Sequence, residues 1–158
     1  MKINFQVIGI QAEEIQSLLN LKESNLDKLN IRKMIVDENP GYPCRLSLED
    51  ARIGEEVLLF NYEHHKVNSP YQASGPVFVR IAAKAANLQQ NELPIMLYHR
   101  LLSLRIYNKE AMMIDARTIQ GEQLKDTIQA VFLNDKAQYI QVHNSSPGCY
   151  NCQINRLY

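Results

Sequence analysis

The chain has 158 residues, 46% of them hydrophobic and 22% charged, which suits one ordinary globular domain with enough apolar material for a core. Lysine plus arginine and aspartate plus glutamate each number 17, so the formal net charge is zero; with no polybasic run, this argues against a nucleic-acid binder and against a membrane-surface protein. Polar residues interrupt the N-terminal segment at once, no apolar run approaches the ~18 residues of a transmembrane helix, and the cysteines number three, so the expectation is a cytoplasmic protein with reduced thiols.

Ile3, Phe5 and Val7 alternate with polar neighbours and predict a half-buried strand that ends at Gly9. Ile15, Leu18 and Leu19 fall at helical spacing and predict a short amphipathic helix over about 11–20. Residues 21–30 read as a polar connection, and Arg32 to Val36 as a second strand. The segment Asn39-Pro40-Gly41-Tyr42-Pro43 is a strong turn signal, with Tyr42-Pro43 as its candidate cis bond. Glu56 to Tyr62 is apolar on both faces and predicts a central strand. A long loop over 63–76 leads to a strand at Val77 to Ile81.

Asn91 is placed to cap a helix running to about Arg100, with Pro94 in its first turn. Leu102, Leu104 and Ile106 then alternate with Ser103, Arg105 and Tyr107, and a turn at Asn108 sends Ala111 to Ala116 back as a hairpin. Leu124, Ile128, Val131 and Phe132 share one stripe of a helix over about 121–133. Strands follow at Tyr139 to His143 and over about 150–157. Residues 1–158 form one domain without repeats or linkers, and the expected class is α+β: a mainly antiparallel or mixed sheet with two or three helices packed on one face.

Four turn segments carry the chemistry-bearing residues. Cys149-Tyr150-Asn151-Cys152 follows Pro147-Gly148, and two sulfurs at this spacing can share one metal ion or each other. Gln153 to Leu157 alternate like a strand, so the dithiol lacks the helix N-terminus that redox chemistry uses. Zinc would need two further ligands, to be found among Cys44, His143, His64 and His65. The plain alternative is two half-buried thiols beside Tyr150.

Tyr42-Pro43-Cys44-Arg45 places a thiol beside a guanidinium, which can lower a thiol pKa or hold a carboxylate or phosphate in a fork. The plain reading pairs Arg45 with Glu49 or Asp50. His64 and His65 end a strand, where acid–base or metal chemistry is often found; for His65 the solvent-exposed reading is preferred. His143 runs into Asn144, Ser145 and Ser146, whose turn amides can form an anion nest. A Cys–His nucleophilic pair, Cys44 or Cys149 with His64 or His143, is chemically open. Neither a phosphate-binding glycine loop nor a GxSxG elbow occurs in the sequence.

The strings Asp37 to Ala51, Gly54 to His64, Ser69 to Arg80 and His143 to Cys152 are long and specific, and the likeness they carry covers nearly the whole chain, from the first strand to the last. In them the sequence resembles a bacterial family classed as a domain of unknown function. The resemblance implies a stand-alone bacterial domain of this length and brings no activity with it.

Three functional expectations follow. The first is a small-molecule or anion-binding domain, or an enzyme acting on such a molecule. Arg45, His143, Asn144 and Ser145 would bind the small anionic ligand, with Cys44, His64, His143 and Cys149 as the catalytic candidates. The second is a metal-binding or thiol-redox protein in which Cys44, Cys149, Cys152 and His143 hold zinc. The third is a non-catalytic interaction module.

Overall fold

The computed structural model describes all residues, Met1–Tyr158. The strands divide into two antiparallel sheets, which bears out the α+β class. The larger sheet has five strands in the order β1 (Phe5–Ile8), β8 (Tyr150–Arg156), β7 (Tyr139–Asn144), β5 (Leu101–Tyr107) and β6 (Met113–Gln120). The smaller has three, β2 (Arg32–Ile35), β3 (Glu56–His65) and β4 (Ala73–Arg80), with β3 in the centre as its two apolar faces predict.

Alternation gives the larger sheet two chemically different faces. Leu102, Leu104, Ile106, Ile140, Val142, Cys152 and Ile154 project from one face into a single hydrophobic cluster. The helix α3 (Leu124–Phe132) covers that face with Leu124, Ile128, Val131 and Phe132, each buried side chain contributing about 2 kcal/mol. The other face carries Ser103, Arg105, Tyr107, Tyr139, Gln141 and His143 and turns toward the smaller sheet.

The smaller sheet has its own cover. The helix α1 (Ala12–Leu19) presents Ile15, and the short helix α2 (Glu23–Leu26) presents Leu26; both pack with Leu58 and Phe60 of β3 and with Val77 and Val79 of β4. Residues 21–30, expected as a connection, thus hold two helical turns. Glu14 fixes α1 twice: one oxygen accepts the Gln11 backbone N–H (2.8 Å) and the other the Tyr62 hydroxyl (2.8 Å).

Two expectations are corrected. The helix from Asn91 does not form; only a single turn, Ile95–Leu97, is helical. Asn91 sits at φ +66° and spends its side chain elsewhere, accepting the Phe5 N–H (2.9 Å) and donating to Asn4 (2.9 Å). The cis peptide is Asn39–Pro40, not Tyr42–Pro43. No helix is long and apolar enough to cross a membrane.

Candidate functional site

The C-terminal end of β3 lies across the polar face of the larger sheet. Its face begins with Leu58 and Phe60 in the core and continues with Tyr62 and His64. A bulge after Tyr62 shifts the register, so that His64 and His65 both reach β7. The layer between the sheets is aromatic and basic. The His64 ring stacks on Tyr150 (5.1 Å between centroids) and meets His143 edge-on (4.9 Å). The His65 ring lies 4.2 Å from Tyr107, which stacks on Tyr139 (5.1 Å).

The hydrogen bonds fix how each histidine holds its proton. The Gln141 amide nitrogen donates to the His64 carbonyl (2.7 Å) and to Gln153 (3.2 Å), so its oxygen accepts from His64 Nδ1 (2.8 Å). His143 Nδ1 donates to the Gly148 carbonyl (2.9 Å), and His65 Nδ1 to the Tyr71 carbonyl (2.7 Å). All three rings therefore donate through Nδ1, and for His64 and His143, whose charged forms burial disfavours, this leaves Nε2 as a lone pair. His65 Nε2 accepts the Tyr139 hydroxyl (2.7 Å), whereas His143 Nε2 is buried with no partner. His65, expected at the surface, is 2% exposed.

The charges around these rings are of one sign. Burial pushes the His143 pKa down to about 3, with Arg105, His64 and Arg45 adding to the fall and the Gly148 bond opposing it. Burial also lowers His64, helped by Arg105 and His65 and opposed by the Gln141 bond. The leading charged neighbours at both rings are cationic or histidine side chains, Arg105 first among them, and the nearest acid of the cluster, Glu14, is held by the Tyr62 hydroxyl. Arg105 stands in mid-strand on β5, half-buried; it takes part in none of the ion pairs of the protein, and its guanidinium lies in hydrogen-bond range of the Tyr107 hydroxyl. A half-buried cation without an acid, facing neutral imidazoles, favours an anion and opposes a metal cation.

The residues expected from sequence meet only in part. Arg45 is not the arm of an anion fork, nor is it paired with Glu49 or Asp50. It is 1% exposed; Nε donates to the Tyr150 carbonyl and Nη1 to the Pro43 carbonyl, each at 2.7 Å, so it ties the Pro43 turn to the start of β8. Burial lowers its pKa to about 10, against the Cys149, Cys44 and Cys152 thiols around it. Asp50 instead holds Arg100 and His99. The anion nest does not form either: the amides of Asn144, Ser145 and Gly148 donate to the carbonyls of Cys149, Leu101 and Asn144. Asn144 also accepts from Asn151 (2.7 Å).

The three cysteines are free thiols in different settings. Cys44 belongs to the core of the smaller sheet, and its sulfur accepts the N–H groups of Ser47 (3.4 Å) and Arg80 (3.3 Å). Cys152 faces α3 in the other core, where burial pushes its pKa up to about 12. Cys149 stays half-buried in the turn before β8. Nowhere do three His, Cys, Asp or Glu side chains come together to hold a metal ion. The reason is the pleat: Cys152 and His143 leave the β8–β7 ladder on opposite faces.

Arg105, Gln141 and Tyr139 were not singled out from the sequence. The one signal was the Ser103, Arg105, Tyr107 alternation, which looks the same on an outward face as on one that a second sheet covers. A groove of about 910 Å³ lies apart between residues 82–88 and the Ser47 to Asp50 turn. Two of the charges that line it are paired, Arg80 with Glu55 and Asp50 with Arg100.

The fold and the site together define a two-sheet antiparallel α+β domain with a layer of aromatic and basic side chains between its sheets. The chain belongs to the family described as "Protein of unknown function (DUF1203)", whose model matches residues 41–156. That span contains the central strand β3 and every inter-sheet residue named above. No curated protein and no solved structure matches the chain.

Proposed function

We propose that this protein is a cytoplasmic bacterial domain that binds a small carboxylate or phosphate compound over the polar face of the larger sheet. The observation that carries the reading is Arg105: a half-buried guanidinium without a carboxylate, in range of His64 and His143. His143 Nε2, an unpartnered acceptor buried beneath this face, adds a second requirement: a ligand that enters the layer far enough to reach it brings an O–H or N–H. The compound is thus an anion that also carries a hydroxyl or amide, rather than a nucleic acid or a membrane.

Titration with orthophosphate and with lactate, followed by calorimetry and by the histidine ring resonances, tests the reading. Saturable binding should shift the His64 and His143 signals. Arg105→Gln should weaken binding about 10- to 100-fold, the worth of one hydrogen bond to a charged group, and leave the melting temperature nearly unchanged. Absence of saturation by either anion, or equal binding by Arg105→Gln, would sink it.

A further inference from the structure

We propose that β6 is a pairing edge, through which two copies of this chain join their larger sheets into one ten-stranded sheet. The free edges of the protein are treated unequally. β1 and β2 have four residues each, and β4 carries Gly75 and Pro76; short length and proline are the usual ways to blunt an edge. β6 has eight residues, with no glycine, proline or lysine, and its bulge lies only at the start, opposite Ile106 and Tyr107. Asp115, Ala116, Arg117 and Thr118 are exposed along it.

The ladder settles which of its backbone groups are free. The Leu101 carbonyl accepts from Ser145 on the β7 side of β5, and the Arg100 carbonyl accepts from Gly121 on the β6 side. Even-numbered residues of β5 therefore bond toward β6, and their partners there are odd: Leu102 with Ile119, Leu104 with Arg117, Ile106 with Asp115. The groups of Ala116 and Thr118 are left pointing outward; the Ala116 N–H is capped by its neighbour's carboxylate, Asp115 Oδ1 (2.9 Å), a bond that strand pairing exchanges for the carbonyl of the second copy.

An antiparallel partner can use only registers that join outward groups. Centring a two-fold axis on Asp115 or on Arg117 sets like charges directly opposite each other, which is destabilising. Centring it on Ala116 pairs Ala116 with the same residue of the second copy and sets Asp115 opposite Arg117 twice. Directly opposite side chains have Cβ atoms ~5 Å apart, so the internal Asp115–Arg117 pair (3.0 Å) grows into a ring of four alternating charges. The strand is thus complementary to itself in one register, as a two-fold interface requires. Pairing along a single strand is a small interface, and the dimer is accordingly weak and concentration-dependent.

Sedimentation of the full chain across the micromolar range tests the proposal, with circular dichroism as a check on folding. The native chain should show a monomer–dimer equilibrium. Ala116→Pro removes an outward N–H, whose bond within the chain is to the exposed Asp115 carboxylate, and no internal ladder bond, so it should stay folded and monomeric. Asp115→Arg alone and Arg117→Asp alone should each weaken self-association about tenfold or more. An equimolar mixture of these two variants should dimerise, because each then opposes the other's charges, and one chain carrying both changes should dimerise as the native chain does. A native chain that stays monomeric at the highest concentration, or a dimer indifferent to these changes, would overturn the proposal.

Discussion

An Arg45→Ala variant is expected to lose about 3–5 kcal/mol of stability, read as a lower urea midpoint with an unchanged slope. Three effects add. The carbonyls of Pro43 and Tyr150 each lose a charge-assisted donor at 2.7 Å. The side chain is among the largest fully buried ones, so its removal leaves a cavity. The Pro43 turn and the start of β8 also lose the tie that sets them against each other. Arg45→Met separates the causes, because it fills most of the volume and removes a buried cation that has no carboxylate partner. It should recover part of the loss, as exchanges of buried charge for apolar volume often do. A cost below about 1 kcal/mol for alanine would show that Arg45 does not hold these turns together.

The second large effect is a dependence on pH. His143 titrates near the usual 6.5 when unfolded and at about 3 when folded, because the buried site disfavours the imidazolium. Between those values the unfolded chain binds the proton and the folded chain does not, so stability rises with pH across that window. The contribution is fully present above about pH 6.5 and is lost as the pH falls toward 3; it amounts to on the order of 5 kcal/mol. His64, lowered in the same direction, adds to the loss. His143→Asn keeps a donor for the Gly148 carbonyl and removes the titration. Its stability between pH 4 and 6 should therefore fall less steeply than that of the native chain, by ~1.4 kcal/mol per pH unit. Parallel curves for the two proteins would show that His143 does not resist protonation.

Both residues stood out in the sequence, but their roles did not. Arg45 lies among turn residues, and the sequence offers it the nearby carboxylates Glu49 and Asp50. Its real acceptors are two backbone carbonyls, one of them 105 positions away on Tyr150. A carbonyl leaves no trace in composition or spacing. The CxxC reads as a pair of ligands along the chain, but a strand pleat sends Cys152 into the α3 core and leaves Cys149 in the turn.

The sequence by itself determined the local elements. Period-two alternation places β1, β5, β7 and β8, and helical spacing places α1 and α3, because both patterns record which side of an element is buried. The antiparallel α+β class follows from strands joined by short turns. Tertiary structure alone decided what covers each polar face. Alternation gives Ser103, Arg105 and Tyr107 one side of β5, and the same pattern serves a solvated sheet. Only the crossing of β3, which brings His64 and His65 onto Gln141 and Tyr139 from more than 70 residues away, turns that side into an enclosed basic layer. The helix expected at Asn91 fails for a related reason. Its cap was judged from neighbours in sequence, whereas its side chain is claimed by the Phe5 N–H, a group 86 residues distant that only the folded chain brings near.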